Sequence, residues 1–228
     1  MQDARPESFA TAGKADALLN AMSVDIEDWF QVGAFETVID RGDWDRLDHR
    51  VERNSEAVLA LFDEAGIKAT FFVLGWVAER YPALMRQIVA AGHEIASHGY
   101  DHARVFTLSP DQFRADLDRS RKLLEDSSGE KVTGYRAPSF SIDQRTPWAH
   151  EILAEQGYEY SSSVAPIHHD HYGWAGSPRF AWKPVAQSDF IELPVTTVKL
   201  GSRILAAGGG GFFRLLPYAL YERSISKM

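Results

Sequence analysis

Apolar positions along the chain switch repeatedly between the period of a strand and the period of a helix. Continuous or alternating apolar residues predict strands over 18–25, 68–74, 93–97, 131–135, 158–164 and 190–198. Apolar residues three and four apart predict helices over 53–65 and 82–91, one that opens at Ser109, and one over 147–156. Because strands and helices alternate with short connections, we predict an α/β fold: a parallel sheet with helices outside it, either open or closed into a barrel.

Local signals support several of these boundaries. Ser109, Pro110 and Gln112 form the pattern of an N-cap, a first helical position and a capping box. Gly66 is placed to end the helix that precedes it. The β-branched and aromatic run over 68–74 is typical of a strand that is buried on both faces.

The chain reads as one domain. No repeat or low-complexity linker divides it, so we predict a flexible leader over 1–17 and a single domain over 18–228. With 228 residues, 45% hydrophobic and 25% charged, it can bury a sizeable core. The start is polar, unlike a signal peptide, and the apolar run over 69–78 is too short to cross a bilayer. We therefore expect a cytoplasmic protein.

Charge and cysteine content limit the classes of partner. The formal net charge of -8 argues against nucleic acid or an anionic membrane, since binding these needs a basic face. A neutral sugar or a cationic product is compatible with it. The chain has no cysteine, which excludes disulfides and thiolate metal sites.

Three short polar motifs stand where predicted strands give way to loops, over 23–28, 97–102 and 135–140. Ligands of such folds bind at the carboxyl ends of the strands, so these motifs are expected to share one site. His98 and His102, with one carboxylate, have the chemistry of a zinc site that leaves a position open for water. A second carboxylate would then accept the proton as general base.

The acidic motif leaves the ligand open. Strand alternation places Asp25 and Glu27 on one face, so one can bind metal while the other contacts the water. Asp28 is a rival ligand. A solvated acidic turn is the alternative, although a carboxylate that ends an apolar run is costly without a cation.

Other candidate residues also have a purely structural alternative. Arg136, before Ala-Pro, is suited to orient a buried carboxylate but could pair at the surface. His169, in the polar cluster over 168–171, could supply a proton or lie in a solvent loop. Trp148 could line a sugar cleft or belong to the core.

Taken together, the motifs resemble the polysaccharide deacetylases of carbohydrate esterase family 4, the NodB homology domain. The resemblance runs from about Asn20 to Tyr218 and includes the stretch over 209–218. It is similar in particular to the subgroup associated with exopolysaccharide and PEP-CTERM gene clusters. The resemblance implies a distorted (β/α) barrel of seven or eight strands that removes N-acetyl groups from amino sugars.

The resemblance also implies roles for individual residues. Asp25 would be the base, His98 and His102 ligands of Zn²⁺ (or Co²⁺ or Ni²⁺), and Arg136 the residue that steadies Asp25. Glu27 is the favoured acidic ligand, with Asp28 close behind. The candidate substrate contacts are Tyr135, Pro138, Phe140 and Trp148. A backbone N–H at Tyr135 or Arg136 would stabilise the oxyanion.

The sequence departs from the family at three places. The usual adjacent Asp-Asp is Asp25-Ile26-Glu27-Asp28, and Gly99 replaces the usual Ser or Thr after the first metal histidine. The late strand over 190–198 lacks the Leu-x-His whose histidine protonates the leaving amine; His169 is the suggested substitute. We therefore expect a member truncated at its C-terminus, without its last strand, and association of copies through the exposed sheet edge.

Two alternatives to a deacetylase stay open at this point. The first is a catalytically impaired, carbohydrate-binding relative, which the missing general acid favours. The second is an amidohydrolase acting on cyclic ureides or imides, which can use the same barrel.

Overall fold

A computed structural model describes residues 21–169, 172–201, 203–208, 213–214 and 217–225. Its centre is a six-stranded parallel sheet whose strands stand side by side in chain order. The strands are β1 (Met22–Ile26), β2 (Ala69–Val73), β3 (Glu94–Ser97), β4 (Gly134–Tyr135), β5 (Tyr160–Ser161) and β6 (Ile191–Glu192). The order never reverses, as a barrel requires, and the predicted α/β fold with a parallel sheet is confirmed.

Helices fill the connections. They are α1 (Val51–Ala65), α2 (Gly75–Arg80), α3 (Pro82–Ala90), α4 (Pro110–Ser128), α5 (Ala149–Glu155) and α6 (Tyr218–Ile225). The predicted capping box of α4 is present: Ser109 Oγ accepts from the Gln112 N–H at 3.2 Å, and Gln112 Oε1 accepts from the Ser109 N–H at 2.8 Å. Gly66 ends α1 in the left-handed conformation, at φ 65°.

The core lies between the sheet and α2, α3 and α4. Phe71, Phe72 and Val73 of β2 are all at most 1% exposed, so this strand is buried on both faces as predicted. The predicted inward face of α4 is equally buried; its residues are Phe113, Leu117 and Leu124. The apolar faces of the helices therefore hold the sheet and its loops in place.

Two regions differ from the prediction. The single strand predicted over 190–198 divides into β6 and a separate antiparallel hairpin, β7 (Thr197–Leu200) and β8 (Arg203–Ala206). Pro194 lies at the break and has no N–H for a strand ladder. Helix α2 was not predicted, because six residues are too few to show a helical period.

Some predictions fall outside what the structure describes. The leader over 1–17 lies outside the described residues, and so does part of the motif over 209–218. No helix among the described residues is long and apolar enough to cross a membrane. The domain boundary, the localisation and the association of copies stay predictions.

Candidate metal centre and base

The loops after β1 and β3 bring Glu27, His98 and His102 together. One ligand atom from each of the three lies within 4.8 Å of the others, and Glu27 Oε2 is 2.9 Å from His102 Nε2. We call these three residues the metal group. They face a cleft of about 200 Å³. The other residues that line the cleft are Asp25, Val32, Gly33, Ala137, Ser139 and Phe140.

The imidazole of His98 is held through Nδ1. His98 Nδ1 lies 2.8 Å from the carbonyl oxygen of Arg136, which leaves Nε2 as the nitrogen available to the metal group. Burial lowers the pKa of His98, although the nearby Asp25 acts in the opposite direction. His98 therefore stays neutral at neutral pH, which is the form that binds metal.

The loop between the two histidines needs glycine. Gly99 has φ 74°, and a Cβ there would lie 3.0 Å from the carboxylate oxygen Oδ2 of Asp116. Asp116 Oδ1 accepts from the Tyr100 N–H at 3.1 Å, and burial raises the pKa of Asp116 to about 6. A side chain at position 99 would therefore meet this carboxylate of α4.

The start of α2 holds the same loop. The N–H groups of Gly75 and Trp76 donate to the carbonyls of Gly99 and Tyr100, at 2.8 and 2.9 Å. The first N–H groups of a helix have no partner within it, so they are free to bind a neighbouring loop. The helix that the sequence did not reveal therefore helps to position His98 and His102.

Asp25, at the end of β1, is held by Arg136. Arg136 Nη1 donates to Asp25 Oδ1 at 2.7 Å although the two residues are 111 positions apart. Burial acts to raise the pKa of Asp25, but the nearby His98 imidazole and the Arg136 guanidinium outweigh it, and the pKa is lowered. The carboxylate is therefore ionised at neutral pH and turned towards the cleft that holds the metal group.

The alternative prediction that Asp28 binds the metal is wrong. Its carboxylate is 1% exposed and accepts from the N–H groups of Arg50 and Val51 at 2.7 and 3.0 Å, and from that of Trp29 at 2.8 Å. These contacts place it at the N-terminus of α1, where orphan N–H groups and the helix dipole favour an anion. Glu27 is the acidic member of the metal group.

Of the four predicted substrate contacts, Tyr135 lies in the core and Trp148 is partly buried against it. The ring of Tyr135 is 1% exposed and packs against Phe113 at 5.7 Å between centroids. Trp148 packs against the ring of Phe113, at 5.6 Å between centroids, and does not line the cleft. The Arg136 N–H donates to the Ser97 carbonyl in the sheet, so it is not available to an oxyanion. An aromatic side chain suits both a core and a sugar cleft, so the sequence alone could not assign Tyr135 and Trp148.

Of the other two predicted contacts, Phe140 lines the cleft and Pro138 does not. Pro138 and Phe140 belong to a single turn of 3₁₀ helix, in which Pro138 is buried and Phe140 lines the cleft. Ser139 and Phe140 have φ of 54° and 49°, a left-handed backbone that is costly for residues with side chains. Such strain is typical of functional loops.

His169 belongs neither to the metal group nor to the residues that line the cleft. Its exposed ring stacks on Tyr172 at 4.2 Å, and Tyr172 in turn lies 6.0 Å from the ring of Phe140. The ring of Tyr172 thus lies between His169 and Phe140 of the cleft wall.

Sequence reasoning missed the contribution of the long β1–α1 connection. Its residues form much of a second cleft of about 330 Å³ that shares Gly33 and His102 with the first. The other lining residues are Phe30, Gln31, Glu36, Ile39, Asp40, Arg41 and Trp44. Its length was the available signal, since long connections in compact domains are usually functional.

The donor set fits a divalent ion. Two imidazole nitrogens and one carboxylate oxygen are the ligands of catalytic zinc sites, and they converge at one end of a parallel sheet. Glu27 Oε2 is buried and makes no well-oriented hydrogen bond within the described part of the chain; the atom beside it is His102 Nε2, at 2.9 Å, a spacing that suits two ligands of one cation. Fold and site together define an α/β protein with a candidate mononuclear metal centre beside an ionised carboxylate.

Comparison with known proteins gives the family. The family model for polysaccharide deacetylases matches residues 39–161, more than half of the chain, and a model for a domain of unknown function, DUF3473, matches residues 162–228. The chain belongs to the polysaccharide deacetylase family.

Individual relatives agree with this assignment. The chain is 34% identical over 113 residues to a peptidoglycan deacetylase of Helicobacter pylori, which covers 50% of this chain and 37% of that protein. It is 29% identical over 153 residues to a chitooligosaccharide deacetylase of Sinorhizobium fredii, covering 67% of this chain and 64% of that one. It therefore spans less than two thirds of either relative.

A solved structure supports the fold. A Mycobacterium smegmatis protein assigned to the polysaccharide deacetylases superposes with a TM-score of 0.60 and 29% identity. The match covers 77% of this chain and 58% of that one.

Proposed function

We propose that the protein removes N-acetyl groups from amino sugars of a poly- or oligosaccharide in a metal-dependent hydrolysis. The observation that carries this proposal is the metal group beside an ionised Asp25 in one cleft. The relatives named as deacetylases of peptidoglycan and chitooligosaccharides support the substrate class. A role in exopolysaccharide modification is the more specific form of the proposal.

Glu27, His98 and His102 would hold the ion, for which Zn²⁺ is the first candidate and Co²⁺ or Ni²⁺ the alternatives. An ion bound there supplies Lewis-acid chemistry: it polarises the amide carbonyl and makes water more acidic. His98 supports this role because its neutral form is favoured and its ring is oriented by the Arg136 carbonyl.

Asp25 acts as general base. It accepts a proton from the attacking water, and its lowered pKa keeps it ready to do so at neutral pH. Arg136 fixes one carboxylate oxygen, which leaves the other to face the cleft. The guanidinium also lies over the ring of Phe72, at 4.0 Å, so it is held from a second side.

Protonation of the leaving amine is assigned to His169. Its ring is linked to Phe140, which lines the cleft, through a stack on Tyr172. A His169→Ala variant should lose about 10²-fold in rate if this assignment holds. An unchanged rate would leave the proton to water.

One observation favours a second function. The strand β6 is followed by Leu193 and Pro194, without the general-acid histidine that the resemblance implies at the end of a late strand. A catalytically impaired, sugar-binding relative is the alternative that this favours.

The test is metal analysis coupled to acetate release. The purified chain is stripped with a chelator, reloaded with Zn²⁺, Co²⁺ or Ni²⁺, and assayed on N-acetylglucosamine oligomers. We expect one ion per chain and metal-dependent release of acetate. Metal binding with sugar retention and no acetate would establish the impaired relative, whereas cleavage of a cyclic ureide or imide would establish the other amidase.

A further inference from the structure

A buried carboxylate lies outside the metal group and Asp25, at the end of β6. Glu192 is 0% exposed, and it belongs to the segment that matches a domain of unknown function. A carboxylate without solvent is costly unless hydrogen bonds or an opposite charge compensate it. Its partners therefore indicate what it is for.

Glu192 binds two consecutive backbone N–H groups. Glu192 Oε1 accepts from Ser163 N at 2.7 Å and from Val164 N at 2.8 Å, and Oε2 lies 3.1 Å from His150 Nε2. Burial acts to raise the pKa of Glu192, but the contacts with His150 and the backbone outweigh it and lower the pKa. The ionised carboxylate thus holds the backbone just after β5.

That backbone holds Arg136. Arg136 Nε donates to the Ser162 carbonyl at 3.1 Å, and Nη2 donates to Ser162 Oγ at 3.0 Å. The next residue, Ala137, donates its N–H to Ser163 Oγ at 2.9 Å. The segment 162–164 is therefore held by Glu192 on one side and holds residues 136–137 on the other.

Arg136 connects this segment to both halves of the site. Its side chain donates to Asp25, and its carbonyl oxygen lies 2.8 Å from His98 Nδ1 and orients that ring. A displacement of segment 162–164 would reach the guanidinium first, because three of the contacts above join Ser162 and Ser163 to residues 136–137. The geometry of Asp25 depends on that guanidinium.

We propose that Glu192 is a positioning residue, which anchors segment 162–164 so that Arg136 presents its guanidinium to Asp25. The proposal rests on the proposed function of Asp25 as base. It also gives the segment beyond residue 161 a role: that segment supplies the buried anion that completes the deacetylase site.

The first test compares two substitutions of Glu192. Glu192→Gln keeps an oxygen for the two N–H groups, and we expect its kcat to stay within about threefold of wild type. Glu192→Leu removes both acceptors, and we expect kcat to fall about 10–100-fold with KM and bound metal little changed, as for other residues that orient catalytic groups.

A matched control separates positioning from stability. Leu153 is fully buried on α5, the helix that carries His150, and has no contact with the Arg136 network among the hydrogen bonds described. Leu153→Ala should lower the melting temperature and leave kcat unchanged. If the two variants, Leu153→Ala and Glu192→Leu, have the same drop in melting temperature and the same drop in kcat, the positioning role of Glu192 is rejected.

A second readout does not depend on activity. In ¹⁵N NMR spectra the Nε–H of a buried, doubly held arginine exchanges slowly with water, and Arg136→Lys assigns the signal. Glu192→Leu should speed this exchange at least tenfold and Glu192→Gln should not. If the Nε–H exchange rate is unchanged in Glu192→Leu, the positioning role of Glu192 is rejected, even when the enzyme is active. If the exchange rate responds but neither wild type nor any variant releases acetate, the proposed deacetylase function is rejected and the positioning role stands.

Glu192→Leu could also fail to fold, and Ser163→Ala then tests the next link. It removes the acceptor of the Ala137 N–H and leaves Glu192 in place. We expect a loss of kcat of about tenfold and faster Nε–H exchange. No change in either measurement would overturn the proposal.

Discussion

The two sides of the site are held in different ways. The metal side relies on a short loop: His98 and His102 lie within five consecutive residues, and backbone groups of α2 and the carboxylate of Asp116 fix that loop. The base side relies on side chains from distant positions, since Asp25 is held by Arg136 and Arg136 by Ser162. The two histidines of the metal side thus share one short loop, whereas Glu27 and the whole base side reach the site only when the strands have paired.

This difference predicts that the two sides can be separated by mutation. Arg136 is where they meet, because its carbonyl contacts His98 and its side chain contacts Asp25. Substitutions of its side chain should affect the base side alone.

Loss of a ligand should remove the function of both sides. His98→Ala leaves two of three ligands, so we expect metal affinity to fall by more than about 100-fold, since changes outside the ligand set already cost 10–100-fold. Acetate release should fall to background. Metal content by plasma emission spectroscopy checks this, with the exposed His168→Ala as the control. Full metal occupancy in His98→Ala would contradict the assignment of the metal group.

Removal of the base should leave the metal side intact. Asp25→Asn keeps the shape of the side chain and removes its ability to accept a proton, so we expect kcat to fall about 10²–10⁴-fold with one ion still bound. The control is Asp111→Asn, an exposed acid at the start of α4. Retained turnover with lost metal would reverse the roles of Asp25 and Glu27.

Arg136→Lys tests whether the base side can be disturbed without the metal side. Lysine has one nitrogen and cannot reach Asp25, Ser23 and Ser162 together as the guanidinium does, while the backbone carbonyl that orients His98 is kept. We expect kcat to fall about 10–100-fold and metal affinity to change little. Titration with Zn²⁺ measures the second quantity, and Arg114→Lys on the surface is the control. An equal loss of metal affinity would mean that the two sides are one unit.

The smallest expected effect concerns stability on the metal side. The pKa of Asp116 is about 6 in the folded protein and about 3.9 in an unfolded chain, so the folded state holds the proton more tightly. The contribution of Asp116 to stability is therefore complete below pH 4 and is lost as pH rises through 6. Asp116→Asn has no such loss, so its free energy of unfolding should improve relative to wild type by about 2 kcal/mol between pH 4.5 and 7.

Urea denaturation at several pH values measures this difference. Because the other carboxylates are the same in both proteins, the difference isolates Asp116. A constant difference across this pH range would show that Asp116 is ionised throughout.

The sequence predicted elements where the pattern was long and complete. Helices α1, α3 and α4 and strand β2 lie within a few residues of their predicted positions, because each buries one face or both and its residues show it. The short strands β4, β5 and β6 were predicted too long, since two paired residues cannot be told from the loop that follows them. The hairpin of β7 and β8 was read as the continuation of one strand for the same reason.

Side chains at the site divide in the same way. The spacing of His98 and His102 and the alternation of Asp25 and Glu27 are local, and both pointed to the cleft. Asp28 could not be excluded without the position of α1, whose N-terminus takes its carboxylate. Asp116, Ser162 and Glu192 have no local signal, because each acts on a partner far away in the chain.

The amino-acid sequence by itself determined the α/β class, the order of most elements and the residue types of a metal hydrolase. Those follow from periodicity and from chemistry carried within a few consecutive positions. Only the tertiary structure decided which acid joins the two histidines, which aromatic rings belong to the core, and how Arg136 reaches Asp25. The physical reason is that hydrogen bonds and burial depend on distances across the sheet, and those exist only after the strands have paired.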